Sequence, residues 1–504
     1  MFNESPSFEK LFLPFTNKKA MLWIIAIGFI VYANSLFNGF VADDITLIIT
    51  NPTIHSISNF PTLLFQIYTN ASGEGLFTGS YYSPLPLISY SFIYTFFGDT
   101  AFFFHFIQLS LHIINTLLIF SLFSSFFSKR ISLFLSLIFL VHPINQETVA
   151  YIASLQDVLF LFFGLLALFF YQRSVKGQIS WKSIALISLF IFLSMLSKFT
   201  GVLFIPLILF GLLLFNKKQF IYYFIAFAIT LGVYFLFKSS AKYVLFAIEP
   251  SSIARAELFI RLTNIPKVIS YYLGTFLFPK TLITHQDWLI TSRTLISFYI
   301  PLLLNVVLFA CIILLGFVSY RLSKKIFYTF LFFSFWFLIG LLLHIQIIPL
   351  DFTVADRWFY FPIIGLLGLI AVFVEIIKIK PKVLIALILI IVMIFSIRTI
   401  TRNEDWRTGY SLYTHDIVVA KDNVYLNGLL GNELLNAGKY DEALKYFKKA
   451  SIIDPSQWRN WINMGAAYYS KGNLKLAEKY FRKAIEVGRP QMGYERLGQL
   501  YIEE

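Results

Sequence analysis

The sequence predicts an all-α protein, a polytopic membrane bundle of about 11 transmembrane helices followed by a solenoid of helical repeats. Three observations carry this. Of 504 residues, 58% are apolar and 13% charged, against about 25% charged in an ordinary soluble domain. The apolar residues gather into runs of about 20, the length that crosses about 30 Å of hydrocarbon. After Arg402 the composition turns mixed and charged, and small and large apolar residues recur with a period of 34.

Spans are expected near 20–37, 101–127, 131–149, 151–171, 182–198, 200–215, 220–237, 294–319, 327–348, 359–378 and 383–400. The first follows Lys18 and Lys19 and lacks a small-residue cleavage site, so it reads as a retained helix, not a signal peptide. Basic clusters then fall at even crossing counts: Lys18/Lys19, Lys129/Arg130, Arg173/Lys176/Lys182, Lys217/Lys218, Arg321/Lys324/Lys325 and Lys378/Lys380/Lys382. Positive charge marks cytoplasmic turns, so these six share the cytoplasmic side. Counting just one of the ambiguous stretches 84–97 and 264–279 as a span would move every later cluster outside. Both therefore read as interfacial or re-entrant helices on the outer face, which suits Pro84, Pro86, Pro266 and Gly274. Loops 38–100, 238–293 and 351–357 and the C-terminal hundred residues then lie outside the cytoplasm.

The chain divides into a membrane domain, 1–400, and an extracytoplasmic repeat domain, 401–504. The net charge of +14 is dispersed around apolar segments, as topology signals are, which argues against a nucleic-acid binder. The lone cysteine, Cys311, lies inside a span and leaves no disulfide framework or thiolate metal site.

In the repeat region Gly431, Ala443, Phe447, Ala450 and Pro455 occupy tetratricopeptide-repeat positions, and Gly465, Ala477, Phe481 and Ala484 follow 34 residues on. Leu497, Gly498 and Tyr501 begin a third unit. The repeats are expected near 424–457 and 458–490, with a partial one at 491–504. Small residues let paired helices approach, and large ones fill the gap between them. Such an array binds a protein segment and carries no chemistry of its own.

Four polar groupings interrupt the apolar background on the expected outer side. They are Asp43/Asp44; His142, Glu147, Gln156 and Asp157 in HPINQETVAYIASLQD; Lys198; and Asp356/Arg357. Ionisable groups at membrane depth are functional candidates. Each also has a structural reading: Asp44 as a helix N-cap, His142-Pro143 as a helix stop, Lys198 snorkelling to the interface, and Asp356–Arg357 as a local ion pair.

The order NGFVADDITLIITNP, HPINQETVAYIASLQD, SKF, VADRWFYFPIIG, RNEDW and then repeats resembles the transmembrane and tetratricopeptide-repeat O-mannosyltransferases and their bacterial relatives. These resemble the wider class of lipid-sugar-dependent glycosyltransferases of the C-type fold. The family's F-x-x-D-D pattern with I and N-x-x-I is met by Phe40, Asp43, Asp44, Ile48, Asn51 and Ile54. Its H-P-x-x-x-E-x-V-A pattern is met by His142, Pro143, Glu147, Val149 and Ala150, with Asp157 at the aspartate that follows. Its A-E-R-Y-x-Y-x-P pattern is met by Ala355, Arg357, Tyr360 and Pro362, with Asp356 in place of glutamate. Phe199 replaces a common acidic residue, and Ser83 stands where an arginine is common.

The resemblance implies transfer of a sugar from a polyprenyl phosphate to an acceptor hydroxyl, Ser/Thr of an exported protein, on the outer face. It implies Asp43 as general base, with Asp44 orienting the acceptor or exchanging roles. Adjacent carboxylates at a low-dielectric edge raise each other's proton affinity, which suits a base at neutral pH. Arg357 and Lys198 are the candidates for the donor phosphate, Arg357 because a guanidinium meets phosphate bidentately; Arg255, Arg261 and Lys267 are weaker ones. His142, Glu147, Asp157 and Asp356 form a supporting polar cluster. The four aspartates could offer oxygen ligands, but the resemblance implies no metal or other cofactor. The Phe/Ile/Lys-rich composition and the absence of disulfides lean towards a bacterial inner membrane, with loops and repeats in the periplasm. Competing readings are a non-catalytic scaffold that recruits extracytoplasmic proteins through its repeats, a lipid-sugar translocase or polymerase, and a transferase whose acceptor is a glycan or lipid.

Overall fold

The computed structural model describes residues 16–65, 82–174, 180–241, 252–488 and 491–503. Parts of the loops expected outside (66–81 and 242–251), Lys176 of one basic cluster and a few residues of the expected repeats lie outside the described residues.

Each expected span holds an apolar helix, and the chain is a multi-pass integral membrane protein. Among the described residues seven helices are long and apolar enough to cross: Asn17–Phe37, Ala101–Ser124, Ile152–Ser174, Lys217–Ser240, Leu295–Leu322, Lys324–Leu342 and Lys382–Asp405. Three more expected spans are shorter apolar helices, Trp181–Ser197, Phe199–Phe215 and Pro362–Ile377. Seventeen residues, as in Trp181–Ser197, rise only about 26 Å.

The remaining one, expected as a single run over 131–149, is broken. Lys129–Val141 and Pro143–Ala150 meet at a 49° bend. Pro143 has no N–H to continue the ladder and disfavours helical backbone at the residue before it. His142 accordingly adopts an extended conformation (φ −65°, ψ 124°). By length and composition alone, the described residues hold seven such helices, or eight with this bent pair, and the rest of the 11 expected spans are the shorter apolar helices. Of the two ambiguous stretches, Pro84–Phe97 is a short apolar helix of 14 residues, and Leu258–Leu277 is a helix with Pro266 inside it.

Inside the bundle, Phe333, Trp336 and Phe337 from Lys324–Leu342 pack with Phe204 and Phe361 in the main core. The helix Pro362–Ile377 can lie so close because Gly365 has no side chain: a Cβ there would sit 2.4 Å from the Phe337 nitrogen. Close approach through small residues is what holds membrane helices together, since lipid offers them no hydrophobic reward for pairing.

The repeats are helix pairs, Val424–Asn436 with Tyr440–Ile453 and Trp458–Ser470 with Leu474–Gly488, followed by Gln491–Glu503. A Cβ on Gly431 would lie 2.5 Å from the Phe447 ring, and one on Gly465 would lie 2.5 Å from the Phe481 ring. The same glycine-on-phenylalanine contact recurs in both units, which is the physical content of the 34-residue period. One further core joins the repeats to the membrane part. Val41, Ile48 and Ile54 of the loop after the first helix share it with Trp406, Leu412, Tyr413, Leu426 and Leu430.

Candidate active site

The loop after the first helix is tied to the end of the helix Lys382–Asp405 before it reaches its aspartates. Asn34 and Asn38 donate to the carbonyls of Ile400 (2.9 Å) and Asn403 (3.0 Å), and Gly39 N–H donates to the Arg407 carbonyl (3.1 Å). Asn403 donates back to the Val31 carbonyl at 3.2 Å and to Asn34 Oδ1 at 2.9 Å. The chain then turns through Ala42 at φ 50°, a left-handed conformation that a residue with a Cβ adopts at a cost of about 1–2 kcal/mol. The two carboxylates that follow the turn go to different partners.

Asp44 is fully buried and spent on backbone: Oδ2 accepts from Val41 N–H (3.0 Å) and Oδ1 from Ala153 N–H (2.7 Å). It caps no helix by its side chain. It is a strut between the loop and the segment at 151–154. Asp43 is different. It is half-buried, and its Oδ2 accepts from the Tyr151 hydroxyl at 2.7 Å, while the same hydroxyl accepts from Asp43 N–H at 3.3 Å. Its other oxygen takes no hydrogen bond from a described residue. Burial pushes the Asp43 carboxyl up, and the Tyr151 bond and the nearby Arg357 charge partly offset this. For Asp44, too, burial is the main upward push, with the Asp43 charge a smaller one.

Arg357 stands beside Asp43 because Glu147 holds it twice. Glu147 Oε2 accepts from the Arg357 backbone N–H at 3.1 Å, and Oε1 pairs with the guanidinium. The remaining guanidinium N–H groups are donors only. Arg357 therefore pairs with Glu147, 210 residues away, and not with its neighbour Asp356. Asp356 accepts from the Tyr271 hydroxyl at 2.5 Å, and Tyr271 accepts from Gln286 Nε2 at 2.5 Å. Burial and the Glu147 charge push Asp356 up to about 8 in spite of the Tyr271 bond. Lys198 does not reach for the interface; its Nζ is 2.6 Å from Asp157 Oδ1.

The cluster thus unites Asp43, Glu147 and Arg357, with Asp157, Lys198 and Asp356 around them. His142 is not part of it. Its ring accepts the Ile144 N–H, bonds the Phe276 carbonyl, and lies between Phe276 and Phe395 at 5.0 and 4.5 Å, which is the helix-stop role. The weaker cationic candidates are committed elsewhere: Arg255 to Asp454, Arg261 to the Gln346 and Ile347 carbonyls, Lys267 over the Trp288 ring. Among the described residues no group of three or more His, Cys, Asp or Glu is placed to hold a metal ion.

Sequence reasoning missed Tyr151, Tyr271 and Gln286, which position the carboxylates, and Asp416, which anchors the repeats. Asp416 Oδ1 is 2.8 Å from the Arg402 guanidinium, and its Oδ2 accepts from both the backbone and the hydroxyl of Thr284 at 2.9 Å. Burial works against the ionised Asp416, yet Arg402 and these bonds hold it down to about 2. Tyr151 lay within a quoted motif, and its only signal was a phenol among apolar neighbours at the membrane edge.

Comparison with known proteins places the tetratricopeptide-repeat family model on residues 434–491. The chain is 25% identical to human Protein O-mannosyl-transferase TMTC3 over 93% of its own length and 55% of that protein. It is 22% identical to Protein O-mannosyl-transferase F38B6.6 of Caenorhabditis elegans over 86% of its length and 63% of that protein. It thus spans little more than half the length of these relatives. Among solved structures it is similar to ArnT from Cupriavidus metallidurans bound to undecaprenyl phosphate, with a TM-score of 0.43, 12% identity, and coverage of 92% of this chain and 79% of that one.

Proposed function

We propose that this chain is a membrane glycosyltransferase that moves a sugar from a polyprenyl-phosphate donor to a Ser/Thr hydroxyl of an exported protein. The names of the relatives that match most of its length point to mannose as the sugar. The observation that carries the reading is Asp43, with one oxygen fixed by Tyr151, the other unbonded by the described residues, and Arg357 beside it. The reaction face is the outer one, with the repeats in the periplasm of a bacterial inner membrane. No metal or other cofactor enters the reaction.

In this reading Asp43 takes the proton of the acceptor hydroxyl as that oxygen attacks the anomeric carbon. The bond from that carbon to the phosphate oxygen breaks, its electron pair leaves with the polyprenyl phosphate, and the acceptor–sugar bond forms. Burial makes Asp43 a better base than a solvated carboxylate, because its charged form is the less comfortable one. Arg357 meets the charge growing on the leaving phosphate with N–H groups that Glu147 does not use. Asp44 acts through the backbone, holding the loop in which Asp43 sits. Glu147 holds Arg357, Asp157 and Lys198 form the neighbouring pair of the donor pocket, and the repeats receive the acceptor protein.

The test is transfer of label from radiolabelled polyprenyl-phosphate mannose to a Ser/Thr-rich exported protein by the purified chain in lipid nanodiscs. Labelled acceptor is expected. If mannose, glucose and other polyprenyl-linked sugars all fail with several acceptors, the transferase reading is lost to the scaffold.

A further inference from the structure

Next to Arg357 lies a second set of polar groups that the mechanism above does not use in full. Asp157 is almost completely buried, and only one of its oxygens is bonded, to Lys198; Oδ2 has no partner among the described residues. His344 is also buried, and its Nδ1 has no partner either. The His344 ring stacks on Trp358, the residue after Arg357, with centroids 5.2 Å apart and planes 13° from parallel. The set is contiguous electrostatically: Lys198 acts on His344, and Asp157 acts on Arg357. His344 lies just past the end of the span Lys324–Leu342, and no motif pointed to it.

Buried polar atoms in native proteins nearly always have a partner, so two orphans beside one ion pair mark a place where something else bonds. Their chemistry says what. A carboxylate oxygen repels phosphate and accepts from an O–H. A neutral imidazole nitrogen donates or accepts once, and an ammonium bound to one carboxylate oxygen has further protons to give. Burial and the Lys198 charge keep His344 neutral, lowering it to about 3. An acceptor and a donor on one ion pair, with an either-way group within reach of the Lys198 charge, match neighbouring hydroxyls, each of which both gives and takes a hydrogen bond. The Glu147–Arg357 pair has the opposite character: both Glu147 oxygens are used and only donors remain, which fits phosphate.

We propose that Asp157, Lys198 and His344 form the subsite that grips the sugar hydroxyls of the donor, while Arg357 takes its phosphate. This rests on the transferase reading and removes Lys198 from the phosphate.

Two probes separate the parts of the donor: undecaprenyl phosphate, which has no sugar, and polyprenyl-phosphate mannose. Binding of each to the full chain in nanodiscs is measured for wild type, Asp157→Asn and His344→Phe. The phenylalanine keeps the stack on Trp358 and removes only the ring nitrogens, so it guards against an Asp157 variant that folds poorly. Each variant is expected to bind the mannose lipid about tenfold more weakly, the worth of one buried hydrogen bond, and the bare lipid phosphate within twofold of wild type. Equal weakening of both probes by His344→Phe would assign the site to phosphate or to structure and overturn the proposal. No weakening of either would mean that the orphan atoms hold only water, and would overturn it too. Wild type binding neither lipid sinks the transferase reading itself, an outcome distinct from the variant results.

Discussion

Replacing Glu147 by Gln tests whether Arg357 is held ready for a phosphate. Glu147 is 4% exposed and the Arg357 side chain 17% exposed. Removing one partner of a buried pair typically costs about 3–5 kcal/mol, most of it from the charge left behind. The glutamine oxygen can still accept from the Arg357 backbone, and solvent reaches part of the guanidinium. The expected cost is therefore the lower end, about 3 kcal/mol, seen as a drop of several degrees in Tm. A bound lipid phosphate supplies the missing counter-charge. At about 100 times its Kd a ligand stabilises by about 2.7 kcal/mol, and the variant, whose arginine no longer shares its protons with a carboxylate, should gain more than wild type. The assay is thermal unfolding of both proteins in detergent with and without saturating undecaprenyl phosphate. The Tm gap should open without lipid and narrow with it. A gap of zero, or one that the lipid leaves unchanged, refutes the idea that Glu147 holds Arg357 ready for a phosphate.

Three further perturbations have definite expected outcomes. Asp43→Asn should lower turnover about 10²–10⁴-fold, the usual worth of a general base. Its Tm should not fall, because burial already disfavours the ionised carboxyl in the folded state; activity at the wild-type level would move the base elsewhere. Asp356 is pushed up to about 8, so the stability it contributes is full below the unfolded carboxyl value and is lost as pH rises through about 8. Asp356→Asn should therefore melt progressively higher relative to wild type from pH 5 to pH 8, and a flat difference counts against this. Asp416, held down to about 2, contributes stability above the ordinary carboxylate range that is lost as pH falls towards about 2. Asp416→Asn at neutral pH should loosen the repeats by about 3–5 kcal/mol and expose the 402–424 segment to limited proteolysis, whereas unchanged cleavage would show that the hydrophobic seam suffices.

What was legible in the sequence had a local signature. Length and hydropathy placed the apolar helices, and the recurrence of Gly431 and Phe447 at Gly465 and Phe481 announced the repeats because each pair makes one contact. Proline gave notice of the break at His142, although the run was still expected to continue through it. Partnerships were not legible. Nothing near Arg357 distinguishes Glu147 from Asp356 as its counter-charge, and the choice follows from helix packing across 210 residues. The different duties of Asp43 and Asp44 follow from their partners at Tyr151 and Ala153, and the left-handed turn before them falls at Ala42, a residue with no turn propensity to betray it. Tyr151 and Tyr271 are neutral phenols, so a search led by charge passed over them, and His344 stands in an apolar run with no motif around it.

The bonds that tie Asn34, Asn38 and Gly39 to Ile400, Asn403 and Arg407 have a consequence for how the protein is made. The loop bearing Asp43 leaves the ribosome early, yet the groups that hold it are synthesised more than 360 residues later. Until the helix Lys382–Asp405 enters the bilayer, Asn34, Asn38 and Gly39 lack these partners, and the loop is held by its bonds to Tyr151 and Ala153. A nascent chain stalled before that helix can be inserted with this loop only partly anchored. Synthesis of that helix thus acts as the safety catch: the stretch leading to Asp43 is anchored only once residues 400–407 have been made.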